Sequence, residues 1–250
     1  MSISGMGECG EIILFDDFCG PDIAVANAEA STTPGHQIGP FKVTGDLDDT
    51  DAGVVNVSKA SGYARLTSSA TTDGDGCFVG TEVCFSPALN GPIVVEARLE
   101  RAALTAGTLF VGLMGVCADD TAEPITCATT VLTKVTHCVG FLLNSELTAA
   151  DGLWYMPYLL AGDTTQTSTD VDASQTAILA ESDVVRLVVN SDGSAEWWIN
   201  GKLEQTKGAG VAATAATLMA AGVGIWATTT TVATVDVDYP LVKANRDWTR

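Results

Sequence analysis

Glu96-Ala97-Arg98-Leu99-Glu100 sets two carboxylates and a guanidinium at alternate positions. Alternate residues of a β-strand share one face, so the three side chains stand in a row. Paired carboxylates are the machinery of glycosidic bond cleavage. With an arginine between them the row reads instead as a same-face charge ladder, each pair contributing about 0.2–1 kcal/mol. Asp46, Asp48, Asp49 and Asp51 gather carboxylate oxygens in one short stretch, as a hard cation such as calcium requires. The same composition also makes a solvated acidic turn. Asp73-Gly74-Asp75-Gly76 has the same two readings and lacks an EF-hand's closing glutamate, because its twelfth position is Cys84. The histidines are His36, in a Gly/Pro-rich loop, and His137, beside Cys138. Adjacent strand residues point apart, so His137 and Cys138 do not form a catalytic couple. A Cys–His pair from distant segments stays open. No nucleophile elbow, P-loop or H-E-x-x-H motif occurs.

The elements that must carry these residues are strands. Asp183 to Thr206 gives the clearest signal. Val184 to Val189 is a β-branched run, and Asn190-Ser191-Asp192-Gly193 is a turn. Ala195 to Ile199 is a second strand, Asn200-Gly201 a type I′ hairpin turn, and Lys202 to Thr206 the returning strand. Trp197 and Trp198 therefore point to opposite faces. One belongs to the core and the other to an outer or concave face, where it either packs or offers a stacking platform. Further strands are expected over 63–67, 77–85, 93–101, 108–116, 135–143, 223–227 and 232–241, with an aromatic-rich segment, Leu153 to Leu160, carrying Trp154, Tyr155 and Tyr158. Residues 119–133 read as a polar insertion, and 208–221 as a short helix or a loop. About a dozen short strands without a capped helix make an all-β sandwich. Its bounds are an arm over 1–12, one domain over 13–242 and a tail over 243–250.

Composition narrows the partners. Thirty-one acidic residues against twelve basic ones leave a net charge of −19, without the clustered Lys and Arg that bind phosphates. Nucleic acid and anionic membrane surfaces are excluded as partners on that basis. No apolar run reaches the ~18 residues of a membrane span. The N-terminus lacks the basic and apolar regions of a secretory signal, so the expected site of synthesis is a cytoplasm. Seven cysteines, an odd number without a C-x-x-C pair, argue against a zinc site or a disulfide framework. They read as mostly buried thiols, with late oxidation of Cys77–Cys84, or of a pair among Cys117, Cys127 and Cys138, as the rival. The sequon Asn56-Val57-Ser58 is expected to be unused.

Four segments resemble, in order, the concanavalin A-like jelly rolls of laminin-G-like lectin modules and the family 16 glycoside hydrolases. They are Ile13-Leu14-Phe15-Asp16-Asp17-Phe18, Val94-Val95-Glu96-Ala97-Arg98-Leu99, the 183–206 meander and Val235-Asp236-Val237-Asp238-Tyr239. The resemblance implies a jelly-roll sandwich of two antiparallel sheets. In the hydrolases a later strand carries E-x-D-x-E, whereas here Thr108 to Val116 and Val135 to Leu143 hold no acid, so the expectation is a chain that is not an enzyme. A lectin of this fold would join a calcium loop, Asp48, Asp49 and Asp51, to an aromatic platform from Trp154, Tyr155 or Trp198. The chain also looks like the concanavalin A-like modules of tailed-bacteriophage virions. That resemblance implies a capsid decoration or other virion accessory protein, made in the host cytoplasm and acting as a homo-oligomer. It would dock on capsid or tail proteins, with Trp248, Arg246 and Arg250 of the tail as contacts. Host glycan recognition is the alternative.

Overall fold

The computed structural model describes residues 10–20, 37–45, 52–69, 72–101, 107–116, 123–134, 137–147, 152–158 and 165–247. In chain order the strands are β1 (Glu11–Phe15), β2 (Gln37–Ile38), β3 (Phe41–Gly45), β4 (Gly53–Val57), β5 (Tyr63–Thr67), β6 (Gly76–Gly80), β7 (Ile93–Glu100), β8 (Thr108–Met114), β9 (Ile125–Ala128) and β10 (Val131–Lys134). They continue with β11 (Cys138–Asn144), β12 (Leu153–Tyr155), β13 (Thr165–Thr167), β14 (Asp172–Thr176), β15 (Ser182–Val189), β16 (Ala195–Ile199), β17 (Lys202–Lys207), β18 (Ala220–Trp226) and β19 (Thr234–Asn245). One four-residue helix, α1 (Pro87–Asn90), precedes β7.

The chain is a jelly-roll β-sandwich. The first sheet runs β17-β16-β15-β7-β19-β5-β4, and the second β14-β12-β11-β8-β18-β6-β3-β2. All ladders are antiparallel; the long β19 pairs with β5 through its first half and with β1 through its second. The alternation of β7, β15 and β16 sorts their side chains. Val95, Ala97, Val185, Leu187, Trp197 and Ile199 are buried between the sheets, and Glu96, Arg98, Arg186 and Trp198 take the opposite face. The Trp197 indole N–H spans the core to donate to the Gly140 carbonyl oxygen at 2.7 Å, so this buried donor is satisfied.

The second sheet is covered on both faces. The small sheet β13-β10-β9 contributes Ile125, Cys127 and Leu132 to a second apolar cluster with Phe78, Phe110, Leu142, Tyr155 and Trp226. Glycines on the strands make room for these rings. A Cβ on Gly140 would lie 2.8 Å from the Phe110 ring, and one on Gly222 would lie 2.7 Å from the Phe78 ring. The supposed polar insertion thus holds a covering hairpin.

Other boundaries shift. Residues 243–245 are not tail, because they continue β19 and pair with β1; residues 11 and 12 likewise belong to β1. Residues 208–219 form turns, and β18 begins at Ala220. Cys77, Cys127 and Cys138 are buried free thiols, while Cys19 and Cys84 are free and exposed, so the pairing of Cys77 with Cys84 does not occur here. Cys9 and Cys117 lie outside the described residues.

Candidate functional site

The outer face of the first sheet sets polar groups beside a partly exposed aromatic, Trp198. Its floor is the β7-β15-β16 ladder, where Trp198 lies opposite Arg186 and Arg186 opposite Glu96. Directly opposed residues share a face, so an indole, a guanidinium and a carboxylate form one line across three strands. Trp198, Arg186, Glu96, Glu196, Val184 and Val188 line a groove of ≈ 390 Å³. The Trp198 indole N–H donates to Glu196 Oε2 at 3.2 Å, which fixes the ring's edge on the outer face. Arg186 is half exposed, with its Nε 3.9 Å from Glu96 Oε2. That separation is too long for a good hydrogen bond, so Glu96 holds Arg186 by charge alone and its half-exposed guanidinium can turn donors to a ligand.

The ladder around the groove is otherwise well paired. Tyr239 Oη donates to Glu96 Oε1 at 2.9 Å; burial first, then this bond, push the phenol up to about 12. Arg98 meets Asp238 at 2.5 Å. Arg65 grips Asp236 with two bonds, of 2.7 and 3.0 Å, and Lys59 bridges Glu100 and Asp236 at 2.8 and 2.6 Å. Burial alone would raise the Asp236 carboxyl. The Arg65 and Lys59 contacts outweigh it and hold the group below its ordinary value. The Glu96–Arg98–Glu100 row is therefore a charge ladder, with Glu96 and Arg98 engaged by β19 and Glu100 by Lys59 of the β4–β5 connection.

Trp154 and Tyr155 are corrected as platform candidates. They are 0% and 2% exposed, because β12 lies in the sheet whose two faces are both covered. Trp154 points into the main core, edge-on to Phe141 at 6.1 Å, and Tyr155 points into the second cluster. Trp198 alone of the three stands outward. Asp46, Asp48, Asp49 and Asp51, with Trp248 and Arg250, lie outside the described residues. Arg246 is exposed, and its backbone N–H bonds the Gly10 carbonyl at 2.8 Å. Among the described residues no group of three or more His, Cys, Asp or Glu is placed to hold a metal ion.

Sequence reasoning missed a second polar cluster at the end of β8 and β11. Thr108 Oγ1 donates to Glu123 Oε1 at 3.0 Å and accepts from Asn144 Nδ2 at 2.7 Å. The Asn144 side-chain oxygen accepts from the Glu146 backbone N–H at 2.7 Å. Burial, reinforced by Asp73 and Glu146, pushes the Glu123 carboxyl up to about 8. Glu146 is raised as well, by burial and Asp73. Both acids stand outside the strands in which acids were sought.

No protein-family model matches the sequence, and no curated protein is similar to it. Solved structures do share its fold. A protein of unknown function from Shewanella oneidensis MR-1 superposes with a TM-score of 0.58 at 11% identity, over 96% of this chain and 89% of that one. The cellulose-induced protein Cip1 gives 0.54 at 16%, over 92% and 96%. LamAcat from Zobellia galactanivorans gives 0.52 at 9%, also over 92% and 96%. At these identities the likeness is one of fold, and fold does not fix function.

The expectation that the chain is not an enzyme is corrected at this point. It rested on the acid-free strands β8 and β11. The fold is shared with LamAcat, and a fold by itself neither supplies nor excludes catalysis. Carboxyl groups also reach the ends of these strands from Glu123 and Glu146, so acid-free strands do not exclude catalysis.

Proposed function

We propose that this domain binds carbohydrate on the outer face of its first sheet, with Trp198 as the stacking platform. The observation that carries the reading is the groove itself: an outward indole, held by Glu196, in line with Arg186 and Glu96. A pyranose ring has an apolar C–H face and a rim of hydroxyls. The indole suits the first, and carboxylate acceptors beside a guanidinium donor suit the second. The reading as a virion decoration protein comes from a resemblance, with the terminal arms as its expected contacts. Residues 1–9 and 248–250 lie outside the described residues, and no observation favours that reading over the groove.

A glycan array probed with the wild-type chain and with Trp198→Ala tests the proposal. Wild type is expected to retain a set of glycans that the variant releases, with thermal unfolding unchanged within a few degrees. Equal retention by both proteins, or none by either, would refute it.

A further inference from the structure

Trp198 is one station of a longer line. Leu203 lies opposite it on β17, and beyond Glu96 come Leu241 on β19 and Phe15 on β1. The register row thus reads Leu203–Trp198–Arg186–Glu96–Leu241–Phe15, crossing six adjacent strands on one face. Its ends are apolar and open: Leu203 is 42% and Phe15 40% exposed. Its middle carries the charged pair. Phe15 is braced by Tyr239, ring centroids 5.7 Å apart, and Tyr239 is tied to Glu96. The two aromatic stations are therefore linked through the polar centre.

We infer that the ligand is an extended, uncharged glycan chain laid across the strands from Trp198 to Phe15. The inference rests on the carbohydrate-binding reading above. Four strand spacings separate the two rings, about 19 Å or about four pyranose units end to end. A straight row on a sheet suits a ribbon-like β-1,4-linked chain, whose rings lie flat and present C–H faces to the aromatic stations. Charge decides against an acidic polymer. Glu96 and Glu196 outnumber Arg186 in the groove, and the whole chain carries −19, so a polyanion meets repulsion both locally and at long range.

The test is a calorimetric titration of the intact chain with β-1,4-linked glucose oligomers from monomer to hexamer, and with a β-1,4-mannuronate hexamer. Affinity is expected to rise with length up to the tetramer and then level off. It should vary little between 50 and 500 mM salt, and the uronate should bind at least tenfold more weakly. Phe15→Ala should weaken the hexamer about 3- to 10-fold, the scale of one aromatic contact, and leave the dimer unchanged. Trp198→Ala should weaken every oligomer. Binding that depends on Trp198 but is equal for dimer and hexamer, or indifferent to Phe15, would overturn the extended track and leave the platform standing. A uronate that binds more tightly would overturn the choice of an uncharged chain. Oligomers that bind with no dependence on Trp198 would overturn both readings. The length series is read on the wild-type protein, so the track is tested even if Phe15→Ala misfolds.

Discussion

Replacing Glu123 by glutamine should change the pH dependence of folding, with little effect on stability at pH 5 and a large one at pH 9. The carboxyl sits against Thr108 at the end of β8, and burial moves it from 4.5 to about 8. A raised acid binds its proton more tightly in the folded chain than in the unfolded one. Stability therefore falls as pH rises from about 4.5 to about 8, where the folded form must finally release the proton. A displacement of that size corresponds to about 3–5 kcal/mol. Glutamine keeps an oxygen to accept from the Thr108 hydroxyl and has no proton to lose. Urea unfolding of both proteins at pH 5, 7 and 9 gives the free energies. The variant's stability relative to wild type should climb by about 3–5 kcal/mol between pH 5 and pH 9. Glu146, raised in the same direction, is common to both proteins and cancels. Parallel curves would mean that Glu123 is ionised and hydrated in the folded chain, and the argument for a buried acid would fail.

Three further outcomes follow from packing and charge. Gly140→Ala places a methyl 2.4 Å from the Val111 carbonyl oxygen and 2.8 Å from the Phe110 ring, so it should cost about 1–3 kcal/mol in denaturant titration; a neutral result would mean that the rings covering the second sheet shift freely. Burial works against the Glu204 carboxylate, but the bonds from Lys202, Ser174 and Gln175 prevail and hold it at about 2. Glu204→Ala removes the tie between β17 and β14 and should cost about 1–3 kcal/mol at pH 7, a deficit that shrinks as pH falls from about 4.5 to about 2 in acid unfolding. In the native protein a thiol reagent should modify the exposed Cys19 and Cys84, the latter slowed because burial and Glu82 raise its thiol, and spare Cys77, whose thiol burial pushes up to about 12; peptide mapping reads the sites.

Much of this arrangement was legible in the sequence, for identifiable reasons. Asn200-Gly201 dictates its hairpin, and the adjacency of Trp197 and Trp198 forces one inward and the other out, because strand periodicity is local. Glu96, Arg98 and Glu100 share a face for the same reason. What periodicity does not show is whether a face is covered. Trp154 and Tyr155 alternate as a half-exposed strand would, with Trp154 in the main core, yet Tyr155 on the other face is buried as well, because a hairpin elsewhere in the chain, β9–β10, closes over the sheet. The glycines of β8, β11 and β18 were the available sign, since a strand gives up side chains where other rings must lie. Glu123 gave no local sign at all. Its environment is assembled from Thr108, Asn144 and Asp73, which only the fold brings near it. The long row from Leu203 to Phe15 was invisible for a similar reason, because it depends on the registers of six strands.

The central claim is that sugar rests on Trp198. The most direct measurement is a crystal structure of the chain soaked with the β-1,4-linked glucose hexamer. The account predicts a pyranose ring packed face-on against the Trp198 indole, with hydroxyls bonded to Arg186 and Glu196 and the chain running toward Phe15. An oligomer bound on the second sheet or at the sandwich edge, with Trp198 bare, would contradict it.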